Sequence, residues 1–289
     1  MASPTKHTSE GESAPQTGEQ GEGLPINKNI HPLITVVTVT YNAADTIERT
    51  LLSVEEQTYP RIEHLIIDGC STDATLQHVQ RYVERGNPAK GHVIRIVREP
   101  DKGLYDAMNK GITQSEGAYI LFLNAGDKFH EATTIAQVVE KMDYERHSVN
   151  PAVVYGETDL VDNEGRFVRH RRLRAPERLT AMSFMSGMLV CHQSFYVRAD
   201  IAKLFPYDLN YRYSADYDWC IRIMKFAQRR GLKFVNTGLI LTDYLNEGMT
   251  TRNHRRSLLE RLRLMAHHYG WPAAIGQHLW FVVRAVVKK

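Results

Sequence analysis

The chain has 289 residues, of which 43% are hydrophobic and 24% charged, with a formal net charge of +3. Such a length holds one large or two small domains with ample core, and the balance is ordinary for a soluble globular protein. So slight a basic excess gives no footprint for nucleic acid, and three cysteines (Cys70, Cys191 and Cys220) without paired spacing exclude a disulfide framework or a zinc knuckle. Lone thiols fit a reducing compartment, and no cationic-then-apolar leader is visible, so the expectation is a cytoplasmic protein.

Residues 1 to about 30 are rich in Ser, Glu, Gly, Thr and Gln, with few large apolar side chains, and are expected to be disordered. Order should begin near Pro32 with a strand over residues 33–40. Asp45 is placed to cap a helix carrying Ile47, Leu51 and Val54, with Glu48 making the reciprocal contact and an end near Gln57. A second strand, 62–67, leads through Gly69-Cys70-Ser71-Thr72 into a helix with Leu76, Val79 and Val83 on one face. A third strand, 92–97, precedes the loop Pro100-Asp101-Lys102-Gly103 and a helix from about Leu104 to Gln114. The apolar run Tyr119-Ile120-Leu121-Phe122-Leu123 then reads as a strand buried on both faces. This alternation predicts a mainly parallel α/β sheet flanked by helices.

Beyond about residue 150 the alternation weakens. Val153 to Gly156 and the turn Asp162-Asn163-Glu164-Gly165 suggest a hairpin or insertion, residues 188–197 a strand, and residues 214–229 a helix with Tyr217, Ile221 and Met224 buried. Residues 251–289 should form basic amphipathic helices. Their end, from Leu279 to Lys289, is too short and interrupted to span a bilayer; it suits either the membrane interface, with Trp280 at headgroup depth, or packing on the core. Two arginine-rich strips stand out: Arg166, Arg169, Arg171, Arg172 and Arg174 with His170, and Arg252, Arg255, Arg256, Arg261 and Arg263. Each is either a solvated face or a phosphate-binding surface.

Three strands end in side-chain oxygens: Tyr41-Asn42 after the first, Asp68-Gly69 after the second and Asn124-Ala125-Gly126-Asp127 after the fourth. The carboxyl edge is where open α/β sheets bind ligands. Turn chemistry explains one such junction; three in succession favour a site.

The blocks TVVTVTYNAADTIERTLLSVEEQTYPRIEHLIIDGCSTDAT, DKGLYDAMNKGI and GAYILFLNAGD, in this order, resemble the nucleotide-sugar half of the family 2 inverting glycosyltransferases, over residues of about 33 to 250. The nearest flavour is the bacterial branch that builds surface polysaccharide, of colanic-acid and O-antigen type. The resemblance implies a GT-A fold, Rossmann-like and mainly parallel. It implies that Thr40, Tyr41 and Asn42 line the nucleotide pocket, that Asp68 accepts a hydrogen bond from the nucleobase, and that Asp106 faces the donor. Ser71 and Asp73 are assigned to capping the following helix. Asn124-Ala125-Gly126-Asp127 occupies the place of the family's Asp-x-Asp motif but keeps only one acid, so Asp127 is the expected ligand of Mg²⁺ or Mn²⁺, with Asn124 beside the diphosphate; a weakened metal site is expected, with arginines partly replacing the cation. In Tyr213-Ser214-Ala215-Asp216-Tyr217-Asp218-Trp219, Asp216 matches the family's catalytic base, with Ala215 in place of Glu, and a dry pocket would raise its pKa. His192, in His192-Gln193, is read as an acceptor-side or diphosphate contact.

The implied partners are a nucleoside-diphosphate sugar and a glycan or lipid-linked acceptor, handled in the cytoplasm or at the inner membrane surface. Two rivals stand beside this reading. A nucleotidyltransferase would carry a Gly- and Arg-rich loop where this chain has Thr-Tyr-Asn-Ala-Ala. A non-catalytic nucleotide-sugar binder would explain the depleted metal motif but not the retained Asp216.

Overall fold

The computed structural model describes residues 31–86, 91–143, 150–245 and 254–287. The tail expected to be disordered, 1–30, lies outside them. Four strands, β1 (Ile34–Thr40), β2 (Ile62–Asp68), β3 (Val93–Arg98) and β4 (Tyr119–Phe122), alternate with α1 (Ile47–Glu55), α2 (Thr75–Arg85) and α3 (Leu104–Gln114). They pair in parallel in the order β3-β2-β1-β4. Every residue of β1, β2 and β4 is buried, as continuous apolar runs in a covered sheet require. Register sets Thr40 beside Asp68, and Asp68 beside Arg98, so the three strand ends form one rim. The pleat sorts β1 between two layers: Val37 and Val39 face the cluster that includes Met108 and Ile112 of α3, while Ile34 and Val36 face the cluster that includes Val54 of α1. Gly111 lets α3 press on β1, because a Cβ there would stand 2.4 Å from Val37 Cγ1.

Beyond β4 come β5 (Lys128–Phe129), α4 (Thr134–Met142), β6 (Val153–Val161), β7 (Phe167–His170), β8 (Phe195–Arg198), α5 (Ala199–Leu204), α6 (Ala215–Arg229), β9 (Phe234–Leu245), α7 (His254–Tyr269) and α8 (Trp271–Val287). The sheet continues β4-β8-β6-β9-β5, with β7 on β6. Pairing here is mixed: β8 is antiparallel to β4 and β6, β5 is antiparallel to β9, and β6 with β9 is parallel. The hairpin expected around the 162–165 turn is β6–β7.

Several local expectations are corrected. Thr46, not Asp45, precedes α1, and no side chain caps it. On α2 the buried residues are Thr75, Val79 and Tyr82, while Val83 is 39% exposed; the aromatic ring wins the inward position. The strand expected over 188–197 is confined to β8. Gly187 turns at φ +114°, Arg171 binds the Met188 and Leu189 carbonyls, and His192–Ser194 coils into a 3₁₀ turn. These interactions take the backbone groups that a strand ladder would need.

The C-terminal helices dock on the sheet domain. His268 Nε2 lies 2.7 Å from Asp218 Oδ1 of α6, Glu260 accepts from the Arg212 and Tyr213 amides, and Ala274 of α8 is fully buried. Among the described residues no helix is long and apolar enough to cross a membrane.

Candidate active site

Asp68 ends β2 with its side chain fully enclosed. Its Oδ2 accepts the Ser71 amide at 3.0 Å, its Oδ1 accepts the Ser71 hydroxyl at 2.5 Å, and Arg98 Nε stands 3.5 Å from Oδ2. Contrary to the capping role expected of it, Ser71 does not cap α2; its hydroxyl joins Asp68 to the Asn42 amide, 2.9 Å away. Asp73 does meet the start of α2, accepting the Thr75 amide at 2.9 Å. Asn42 sits at φ +47°, and its Oδ1 accepts the Thr72 amide at 2.8 Å, so it shapes the loop with the same atom a ligand would use. Tyr41 stands out, 63% exposed, at the mouth of this pocket. Thr40 is buried, and its hydroxyl has no protein partner.

Asp101 reaches the same pocket from the β3–α3 loop, since a Cβ on Gly69 would meet Asp101 Oδ2 at 2.3 Å and Tyr41 Cδ2 at 3.4 Å. Asp106, expected to face the donor, accepts the Lys102 amide at 2.9 Å and serves the loop's own geometry. Arg98 and Asp101 were missed as site residues. The in-register pairing of Asp68 with Arg98 is invisible until strands are paired.

The second part of the site lies over the ends of β4 and α6. Asn124 Nδ2 is 3.2 Å from His192 Nε2, and His192 Nδ1 is 3.3 Å from Asp216 Oδ2. Nε2 thus faces the Asn124 side-chain amide while Nδ1 faces Asp216. Tyr105 of α3 donates its hydroxyl to Asp216 Oδ1 at 3.1 Å, and the Tyr217 amide donates to the same oxygen at 2.9 Å. Burial pulls the Asp216 pKa up, but the His192 hydrogen bond and charge, the Tyr217 amide and the Arg261 charge outweigh it and hold the carboxyl below its ordinary value. The pKa expected to rise has instead fallen, because the pocket is rich in donors as well as dry. Burial, and Asp216 beside it, push the Tyr105 phenol well up, so it stays a donor. Asp216 retains 23% of its side-chain surface, leaving an open approach. Asp218 points away, to Arg222 at 2.5 Å and His268 at 2.7 Å. Tyr105 was not anticipated as a partner of Asp216, because 111 residues separate the two in sequence.

Asp127 is 3% exposed, and each carboxylate oxygen already accepts a protein donor: Oδ2 from Gln193 Nε2 at 3.0 Å and Oδ1 from the Leu245 amide at 3.1 Å. Burial pushes its pKa up to about 6, against the pull of those two bonds and of His192 and Arg49. Nearby, Asn124 Oδ1 is buried with no partner. A divalent cation fits this pair as Mg²⁺ fits sites with one carboxylate, through Asn124 Oδ1 and the remaining lone pairs of Asp127. The basic strip from Arg166 to Arg174 is partly committed within the protein: Arg166 pairs with Asp162 and Glu164, and Arg171 binds three carbonyls. From the second strip, Arg261 lies 5.6 Å from the Tyr217 ring, with its Nε buried and unpartnered. Arg252 lies outside the described residues.

A mainly parallel α/β sheet with carboxylates gathered at its strand ends is the architecture of the GT-A glycosyltransferases. Residues 35–205 match the model of Glycosyl transferase family 2, and the chain belongs to that family. It is similar to the PGL/p-HBAD biosynthesis glycosyltransferase of Mycobacterium bovis, at 33% identity over 192 residues, covering 66% of this chain and 69% of the relative. It is also similar to the putative teichuronic acid biosynthesis glycosyltransferase TuaG of Bacillus subtilis, at 39% over 101 residues, 35% of this chain and 38% of the relative. Among solved structures, S. aureus TarS 1–349 in complex with UDP-GlcNAc aligns with a TM-score of 0.60 at 18% identity, over 81% of this chain and 66% of that one. The mannosyltransferase PcManGT of Pyrobaculum calidifontis, in complex with GDP-Man and Mn²⁺, aligns with a TM-score of 0.55 at 17% identity, over 86% and 75%. At such identities the structural likeness speaks to the fold, which is that of the GT-A glycosyltransferases.

Proposed function

We propose that this glycosyltransferase moves a sugar, with inversion, from a nucleoside-diphosphate donor to a hydroxyl of a lipid-linked glycan in surface-polysaccharide assembly at the cytoplasmic membrane face. The nucleobase end of the donor occupies the pocket of Thr40, Tyr41, Asp68 and Asp101. The diphosphate crosses towards Asn124, and Asp216 faces the anomeric carbon from the acceptor side. The observation that carries this reading is the chain Asn124–His192–Asp216–Tyr105, which ties a carboxylate with an open face to the donor rim.

In the transfer step, the acceptor oxygen forms its bond to the anomeric carbon as the bond to the diphosphate oxygen breaks, and that oxygen leaves with the electron pair. Asp216 receives the hydroxyl proton. Tyr105 and His192 hold the carboxylate in one orientation, so little rearrangement is needed as the proton arrives. Asn124 and Asp127 are the residues that would hold a divalent cation, which would supply positive charge against the leaving diphosphate. Arg261, whose positive charge already acts on Asp216, adds to that offset.

The relatives' roles support the acceptor class: one is named for PGL/p-HBAD biosynthesis and another for teichuronic acid biosynthesis. Helix α8 supports the membrane. One face docks through Ala274 and Phe281, while Trp271, Ile275, Leu279 and Trp280 stand 48–62% exposed along another. Such a stripe suits the interface plane, with its tryptophans at headgroup depth.

The test is transfer with a panel of nucleoside-diphosphate sugars and a lipid-linked acceptor, with the product anomer read by NMR. Retention at the anomeric carbon, or full activity in Asp216→Asn, would refute the mechanism. Sedimentation with anionic vesicles tests the membrane contact: Trp271→Ala/Trp280→Ala should weaken binding, and equal binding would refute it.

A further inference from the structure

Away from the donor rim, a row of ionisable side chains crosses four neighbouring strands. Register sets His170 of β7 beside Asp159 of β6, Asp159 beside Asp243 of β9, and Asp243 beside Lys128 of β5. His130 follows two residues after Lys128. The row lies on the sheet face turned away from the catalytic turn. Thr158 and Thr242 reach that turn, through Ser194 Oγ at 2.8 Å and the Gln193 carbonyl at 2.7 Å, and in a pleated strand the next residues, Asp159 and Asp243, point to the other face.

Two carboxylates, 2% and 6% exposed, thus sit directly opposed on adjacent strands, an arrangement that repels unless positive charge is supplied. His130 Nδ1 is 2.8 Å from Asp243 Oδ1, His170 Nδ1 is 2.8 Å from Asp159 Oδ1, and Lys128 Nζ is 2.9 Å from Asp243 Oδ2. One atom each from His130, Asp159 and Asp243 falls within 4.8 Å of the others. Ligands about 2.0–2.2 Å from a tetrahedral zinc lie roughly 3.4 Å apart, so a modest contraction closes the set. The histidine side chains, 33% and 54% exposed, have the freedom to make it and give the ion a route in.

We propose that His130, Asp159 and Asp243, with His170 as the fourth donor, form a binding site for a zinc-class divalent cation, separate from the site that faces the diphosphate. Imidazole nitrogens beside carboxylates select Zn²⁺, Co²⁺ or Ni²⁺ over Mg²⁺, whose preference is for oxygen alone. Each histidine binds through Nδ1 and carries its proton on Nε2. The ion clamps β5, β6, β7 and β9 together, with His130 three residues after Asp127. Lys128 holds Asp243 in the absence of metal and competes with it.

Full-length protein freed of metal would be titrated with ZnCl₂ by calorimetry and with CoCl₂ by visible absorption. The expected result is one site per chain and a rise in Tm with Zn²⁺. His130→Ala/His170→Ala should weaken binding at least tenfold and abolish the Tm rise with Zn²⁺, on top of a lower Tm in chelator from the two lost ion pairs. Lys128→Ala should tighten binding severalfold, a gain that loss of folding could not mimic. Equal zinc affinity in wild type and the double variant, or no saturable binding by wild type, would overturn the site and leave the row as an ion-pair ladder.

Discussion

Replacing Asp127 with Asn should make the protein more stable and the enzyme worse. The carboxyl's pKa is pushed up to about 6 by burial, from 3.8 in the unfolded chain. A rise of that size means that carrying the charge inside costs about 3 kcal/mol above pH 6. The sign follows from proton counting. Between about pH 4 and 6 the native state keeps a proton that the unfolded state has released, so this group's stability contribution is greatest below pH 4 and is lost as pH rises through 6. Asn removes the charge but keeps the shape. Its Oδ1 still accepts the Leu245 amide, and its Nδ2 donates to Gln193 once that amide turns over. At pH 7.5 a net gain of about 2 kcal/mol, allowing for imperfect repacking, should raise Tm by roughly 4 to 8 °C. By pH 4.5 the advantage should nearly vanish, since the wild-type carboxyl is then protonated. Urea unfolding at the two pH values reads the difference directly, and donor-dependent transfer, assayed alongside, should fall. A variant less stable at pH 7.5, or an advantage equal at both pH values, would refute the account of Asp127 as a costly buried charge kept for its function.

Asp216→Asn should lower kcat by about 10²- to 10⁴-fold while leaving nucleoside-diphosphate affinity within twofold, measured by calorimetry. Because the Asp216 pKa is held below its ordinary value, a fall in wild-type rate near pH 6 would belong to Asp127, and that limb should vanish in Asp127→Asn; a limb that persists there assigns it elsewhere. His192→Ala should reduce kcat about tenfold with little change in donor KM, since the imidazole orients the base; an effect confined to KM would place it on the donor instead. Asp68→Asn should raise donor KM about tenfold, the scale of one lost charge-assisted hydrogen bond, and an unchanged KM would remove Asp68 from the nucleobase pocket. Gly111→Ala should destabilise by about 1–3 kcal/mol in urea unfolding, because its Cβ would strike Val37.

The donor half was legible in the chain because its signals are local. Apolar runs ended by Asn or Asp gave three of the four parallel strands, and apolar spacing gave helix α3 to the residue. Elements β5, α4 and β9 were not anticipated. β5 is two residues long, and β9 carries only a broken apolar pattern, with an exposed glycine at φ +69° inside it. β9 is placed by pairing with β6, and β5 by pairing with β9, long-range contacts that no window of sequence contains. At the site, Asp216 could be named from its motif, but its lowered pKa could not. That depends on His192, arriving from 24 residues upstream, and on the charge of Arg261. The same holds for Arg98 and Asp101, whose roles come from register and loop closure.

The 3₁₀ turn His192–Ser194 shows why the misread strand matters. Three consecutive side chains leave it in different directions: His192 to Asp216, Gln193 to Asp127 and Ser194 to Thr158 of β6. A strand would send alternate residues to opposite faces and could not deliver His192 and Gln193 to neighbouring carboxylates. The coil does so while all three stay buried, anchored by the Thr242 hydroxyl on the Gln193 carbonyl. Asp216 and Asp127 are therefore held by adjacent residues of one segment. A shift of this turn would move both together, so under the proposed mechanism it couples the diphosphate end of the donor to the group that takes the acceptor's proton.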